Sequence, residues 1–107
     1  MERKVFFCVV CLFIFCGCKP YWERGLYPLE LNGVVENTFI DYKDHAIRVV
    51  VVKEQNELKE FYVWKDYSYE FYNNIQKGDS IFKSANTLEF YLKKDGKKRK
   101  YQFEKYP

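Results

Sequence analysis

Ala46-Ile47-Arg48-Val49-Val50-Val51-Val52-Lys53 decides the fold of this chain. Its valines lose side-chain freedom in a helix and pack well on a pleated surface, so the run predicts a strand. Gln55-Asn56-Glu57 supplies turn residues directly after it, and Leu58 to Trp64 resumes the apolar alternation. Together they predict a hairpin. Upstream, Gly33 to Ile40 is a first strand, with a bulge as an option. Downstream, Leu88 to Lys93 alternates with Leu88, Phe90 and Leu92 on one face. Asp95-Gly96 is a strong hairpin turn, and Lys98 to Glu104 returns with Tyr101 and Phe103 inward.

Between these strand groups, Ser68 to Gln76 suits one or two helical turns, because Tyr72 and Ile75 are three apart. Gly78-Asp79-Ser80-Ile81-Phe82-Lys83 is a turn leading into a short strand. Three strands, a short helical connection and two or three more strands predict an all-β fold. The expected form is a small OB-like barrel of five to six strands, and an SH3-like roll reads almost the same.

The chain has 107 residues, 48% hydrophobic and 31% charged, with a net charge of +3. That suffices for one small domain and is not a disordered composition. The four cysteines, at positions 8, 11, 16 and 18, all lie near the start, so the body has none. Glu2-Arg3-Lys4 precedes an unbroken apolar run from Val5 to Cys16. Twelve helical residues span about 18 Å, short of a bilayer core of about 30 Å. A positive start and an apolar stretch of this length predict a secretory signal peptide.

The run closes on Phe15-Cys16-Gly17-Cys18-Lys19-Pro20. This resembles the lipobox of bacterial lipoproteins, although Phe15 stands where leucine is usual. The resemblance implies cleavage after Gly17 and acylation of Cys18. The expected organisation is a signal peptide over 1–17, a lipidated anchor and tether over 18–30, and a β-barrel domain over 31–107. Tyr21, Trp22 and Tyr27 in the tether either sit at the lipid interface or pack on the domain.

The body also resembles a group of small uncharacterised lipoproteins of Bacteroidota-type bacteria. The matching features are Asn32-Gly33-Val34-Val35, Tyr42-Lys43-Asp44-His45, the stretch Ile75 to Lys83, and the closing basic hairpin. That resemblance implies fold and location and carries no activity. The expected location is the cell envelope, lipid-anchored, at the outer membrane facing the periplasm.

Aromatic residues form 21% of the chain, and seven fall between Phe61 and Tyr72. With Phe61 and Val63 on the core face of their strand, Tyr62 and Trp64 point outward beside a loop carrying Tyr67 and Tyr69. These four residues, Tyr62, Trp64, Tyr67 and Tyr69, are a candidate binding face, since exposed rings stack on sugars, peptides or bases. The bland alternative is a heavy aromatic core in a small domain without disulfides. Lys93, Lys94, Lys97, Lys98, Arg99 and Lys100 surround the Asp95-Gly96 turn. They form a basic patch that attracts lipid head groups, acidic glycans or phosphate, or simply protects an edge strand.

His45 is the only histidine and has Asp41 and Asp44 nearby. A metal site needs three or four ligands, and no second histidine exists to supply them. Ser68, Ser80 and Ser84 lack a nucleophile-elbow context. No catalytic residue, metal or cofactor is therefore expected. The reading is a lipid-anchored, non-catalytic module that contacts an envelope protein, a peptide or a glycan. An OB-like nucleic-acid or oligosaccharide binder is the first alternative, and a small envelope hydrolase the second. Secretion argues against nucleic acid, because that partner is absent from the periplasm.

Overall fold

The computed structural model of the chain describes residues 19–43 and 45–105. The expected signal peptide and Cys18 lie outside them. Six strands form one antiparallel sheet: β1 Leu31–Asp41, β2 Ile47–Glu54, β3 Glu57–Val63, β4 Ser80–Lys83, β5 Glu89–Lys94 and β6 Lys97–Gln102. The order across the sheet is β3-β2-β1-β4-β5-β6. A short helix, α1 Tyr69–Asn74, connects β3 to β4. The all-β class and the position of the helix agree with the sequence reading. The closed barrel does not, because β3 and β6 remain the two edges of an open sheet.

The local signals behave as their chemistry requires. Glu54 pairs with Glu57 across a two-residue turn in which Gln55 has φ +53°. Lys94 pairs with Lys97 across Asp95 and Gly96, at φ +49° and +80°. Both central residues of that turn are left-handed, which matches the twist of the flanking strands. At the start of α1, the Ser68 hydroxyl accepts from the Phe71 amide at 3.2 Å, as a helix cap should.

β1 carries the bend that lets one strand serve two neighbours. Its register against β2 shifts between Val35 and Asn37, so Glu36 is a bulge residue. Just before the bulge, Val35 stays in register with Val52 of β2 and turns its hydrogen bonds to the β4 approach: its amide donates to the Asp79 carbonyl, and Gly78 donates to its own. Gly33 sits where β1 presses on β2. A β-carbon there would lie 2.3 Å from the Lys53 carbonyl oxygen.

The core fills the concave side of the sheet. Phe71 on α1 sits among Phe61 of β3, Phe90 of β5, and Tyr101 and Phe103 at the end of β6, with ring centroids 4.9 to 6.4 Å apart. Phe61 and Phe90 are themselves 5.6 Å apart although three strands separate them in the sheet. The sheet is therefore strongly curled. The helix and its approach loop occupy the gap between the edges, where Glu104 donates to the Tyr67 carbonyl. This is the physical reason the barrel stays open: an aromatic wedge stands where β3 and β6 would otherwise pair.

The expected tether also meets a correction. Residues Trp22–Leu26 form a single π-turn, and Leu26 is fully buried in the core. Of the two readings of its aromatics, packing on the domain is the one observed for Tyr21 and Trp22, which lie against the core. The packed body begins near Tyr21, about ten residues before the expected boundary at 31.

Truncating the wedge by Phe71→Ala should cost about 3–5 kcal/mol in urea unfolding, the range for a buried ring removed from a core. Gly33→Ala should cost about 2 kcal/mol or more, because the backbone of β2 cannot yield as a side chain can. A fully stable Gly33→Ala variant would mean that β1 and β2 are not held at this separation.

Candidate functional site

An antiparallel sheet with one face on a core normally turns polar residues to water. The outer face here does so only in part. Strand alternation puts Phe61 and Val63 inward, which fixes Tyr62 outward. Through the registers Tyr62–Val49 and Val49–Phe39, an apolar row crosses β3, β2 and β1. A second cluster lies on β1, β4 and β5. There Phe82 pairs with Tyr91 and Asn32, beside Val34. Val34, Phe39, Tyr62 and Phe82 are 45%, 48%, 38% and 41% exposed.

The second cluster floors a shallow groove of about 510 Å³, lined by Val34, Phe82, Tyr91, Lys93 and Lys98 among others. The Phe82 and Tyr91 rings are 6.1 Å apart, and the Lys98 ammonium lies 4.7 Å from the Tyr91 ring centre. An apolar floor with cations on its wall suits a ligand that joins an apolar or planar group to an anion.

The structure divides the four aromatics named from sequence. Tyr62 points outward and Trp64 is half-buried, and both are overlaid by Tyr21 with ring centroids at 5.6 and 5.3 Å. Tyr67 is 2% exposed and belongs to the core, stacked on Phe103. Tyr69 is well exposed on α1 but is not joined to the others. The expected four-residue face is thus a pair, Tyr62 and Trp64, capped by the N-terminal segment.

The basic patch is divided too. Lys94 pairs with Asp79 at 2.7 Å, Arg99 with Glu70, and Lys100 with Glu89 at 3.2 Å. The first two brace the hairpin against the β4 turn and α1, and the third joins its own two strands. Lys93, Lys97 and Lys98 have no carboxylate at ion-pair distance among the described residues. Two of them, Lys93 and Lys98, line the groove. His45 is exposed in a turn where it and Ala46 have φ +57° and +55°. Among the described residues no group of three or more potential ligands is placed to hold a metal ion.

Sequence reasoning missed Val34, Phe82 and Tyr91, and it missed Lys83. In β4, Phe82 faces water and Lys83 is fully buried. The Lys83 ammonium donates to the carbonyls of Tyr27 at 3.1 Å, Leu29 at 2.5 Å and Ser84 at 3.1 Å. Burial pushes its pKa down to about 8, partly opposed by the Glu30 carboxylate. This one side chain fastens the N-terminal segment to β4. At the other end of that segment, burial raises the Tyr21 hydroxyl to about 12, countered by the Tyr62 amide that donates to it at 3.1 Å.

Compared with known proteins, the chain matches no family model, no curated sequence and no solved structure.

Lys83 and Tyr21 give the fold a defined response to pH. Between about 8 and 10.5 the unfolded chain holds a proton that folded Lys83 has lost, so stability rises with pH there. Above 10 the unfolded chain loses the tyrosine proton that folded Tyr21 keeps, so stability falls towards pH 12. Urea titrations should place the maximum near pH 10. Lys83→Met should flatten the rise and cost about 2 kcal/mol at pH 7, since the Leu29 carbonyl loses its donor and those of Tyr27 and Ser84 keep only Asn86 and Thr87. A variant that keeps the alkaline rise would assign it to another group.

Proposed function

We propose that the chain is a lipid-anchored envelope protein that works as a non-catalytic binding module. The observation that carries the binding role is the exposed apolar outer face, with Val34, Phe82 and Tyr91 set beside Lys93 and Lys98. Apolar surface of this kind gains free energy only when something covers it. The two cations favour an anionic partner, and the open shape favours an extended one: an acidic peptide segment of another envelope protein, or an acidic glycan.

The envelope location rests on the sequence. The apolar run Val5 to Cys16 and the lipobox-like Phe15-Cys16-Gly17-Cys18 support cleavage after Gly17 and acylation of Cys18. Two or three acyl chains anchor a protein stably, as each buried methylene contributes about 0.8 kcal/mol. The resemblance to small Bacteroidota-type lipoproteins points to the outer membrane, facing the periplasm. The finer fold reading is an opened OB-like arrangement. Pairing of β1 with both β2 and β4, and a helix between β3 and β4, support it. The sixth strand and the Phe71 wedge stand where such a barrel would close.

Two measurements test the reading. Fatty-acid labelling in the host should mark the protein and vanish in Cys18→Ala. A photo-crosslinking residue at position 82 should give a discrete adduct in intact cells, and one at position 57, on the β2–β3 turn, should not. Lys93→Glu with Lys98→Glu should remove that adduct while leaving the melting temperature within a few degrees, because both lysines are exposed. An adduct indifferent to these charges would refute an anionic partner.

A further inference from the structure

The start of the packed body constrains how an anchored protein sits. Tyr21 is wedged over Tyr62 and Trp64, and only Lys19 and Pro20 separate it from Cys18. Three residues reach at most about 11 Å even when fully extended. The segment cannot peel away to lengthen that reach without extracting Leu26 from the core and breaking the Lys83 bonds to Tyr27 and Leu29. A chain acylated at Cys18 therefore has no free tether, and its body is pulled against the headgroups.

The surface around that point has the composition of a membrane interface. Trp22 and Trp64 are the two tryptophans of the chain, and both lie here, half-buried. Trp22 meets the exposed Tyr27 edge-on at 6.5 Å. Arg24 and Lys105 lie over the Tyr21 and Trp22 rings at 5.4 Å each. Tyrosine and tryptophan favour the headgroup zone because their rings are apolar with one polar edge. Acids are present as well: Glu23 is on the same turn, and Asp41 lines the concavity beside Tyr21. The balance is near neutral, so the fit is to the headgroup layer itself and does not depend on a strongly anionic surface.

We infer that the end of the body bearing Tyr21, Trp22, Arg24 and Trp64 is a membrane-seated face that orients the domain on the lipid surface. This rests on the acylation of Cys18 proposed above. It assigns the exposed Tyr62 and Phe39 row, next to Tyr21 on the outer face, to the rim of that contact. The Val34 and Phe82 groove lies farther along the same sheet. Val34 and Phe39 are five residues apart on β1, about 16 Å along a strand. The groove is thereby left open to a partner.

The two tryptophans report the geometry directly. Full-length protein purified from host membranes is placed in phosphatidylethanolamine–phosphatidylglycerol vesicles containing brominated lipid, and its mass shows whether Cys18 is acylated. A second preparation starts at Cys18, which is then its only cysteine, and is coupled through that thiol to a maleimide lipid. The core lies between Leu26 and Phe103, so this chain retains all of it. The expected result is a loss of tryptophan fluorescence that is larger with bromine near the headgroups than at mid-chain. Inserting a flexible linker of about twenty residues after Lys19 should reduce that loss, because the body can then stand away. Unquenched tryptophans in the thiol-coupled chain would overturn the membrane-seated face. An unacylated Cys18 with quenching in the coupled chain would overturn the anchor while upholding the face.

Discussion

Phe71 is the residue on which the interior of this protein turns. A six-stranded antiparallel sheet has two edges and must either close or cover what it leaves open. Here one ring, carried by a helix of six residues, touches Phe61 from one edge strand and Tyr101 from the other. The helix is too short to be stable alone. It is held because its capping serine starts it and because the curled sheet supplies aromatic walls. The sheet in turn stays curled because Phe71 occupies the space between those walls. Neither part accounts for its own geometry without the other.

The N-terminal segment depends on a second buried group of opposite character. Lys83 holds carbonyls from Tyr27 and Leu29, which a π-turn and an irregular stretch leave without sheet partners. Burying an ammonium without a bonded counter-ion is costly, and three carbonyl dipoles offset that cost only when all are in place. The arrangement is therefore all-or-none. With it, Leu26 enters the core and Tyr21 reaches the outer face. The same fastening denies the chain a flexible tether, so any anchor at Cys18 sets the orientation of the domain as well as its address.

The outer face then divides by position. Its β3–β1 half adjoins Tyr21 and the start of the body. Its β1–β5 half carries the groove with Lys93 and Lys98. Of the basic residues around the hairpin, Lys94 and Arg99 are occupied with carboxylates that hold it to its neighbours, and Lys100 with one on its own partner strand. Charge that looks like one patch along the chain is divided: Lys94 and Arg99 brace on the inner side while Lys93 and Lys98 stay open on the other, because successive residues of a strand point to opposite faces.

Much of the secondary structure was legible in the sequence because it is local. Valine-rich alternation, the Asp95-Gly96 turn and the Ser68 cap each act within a few residues, and every expected strand and the helical turn appear within one to three residues of their expected positions. The outward aim of Tyr62 followed from alternation alone. Closure, burial at β4 and docking of residues 21–29 did not follow, because each depends on partners distant in sequence. Nothing near Ile81-Phe82-Lys83 says that the lysine, not the phenylalanine, will be buried. That is decided by carbonyls more than fifty residues upstream. Likewise Tyr67 joined the core because Phe103 came to stack on it. The sequence by itself determined the strands and the turns, and it carries the motif from which an anchor is proposed. Only the tertiary structure decided which aromatics face water, which lysine is buried and how far towards Lys19 the packed body extends, since those outcomes are set by contacts between segments and not by the segments alone.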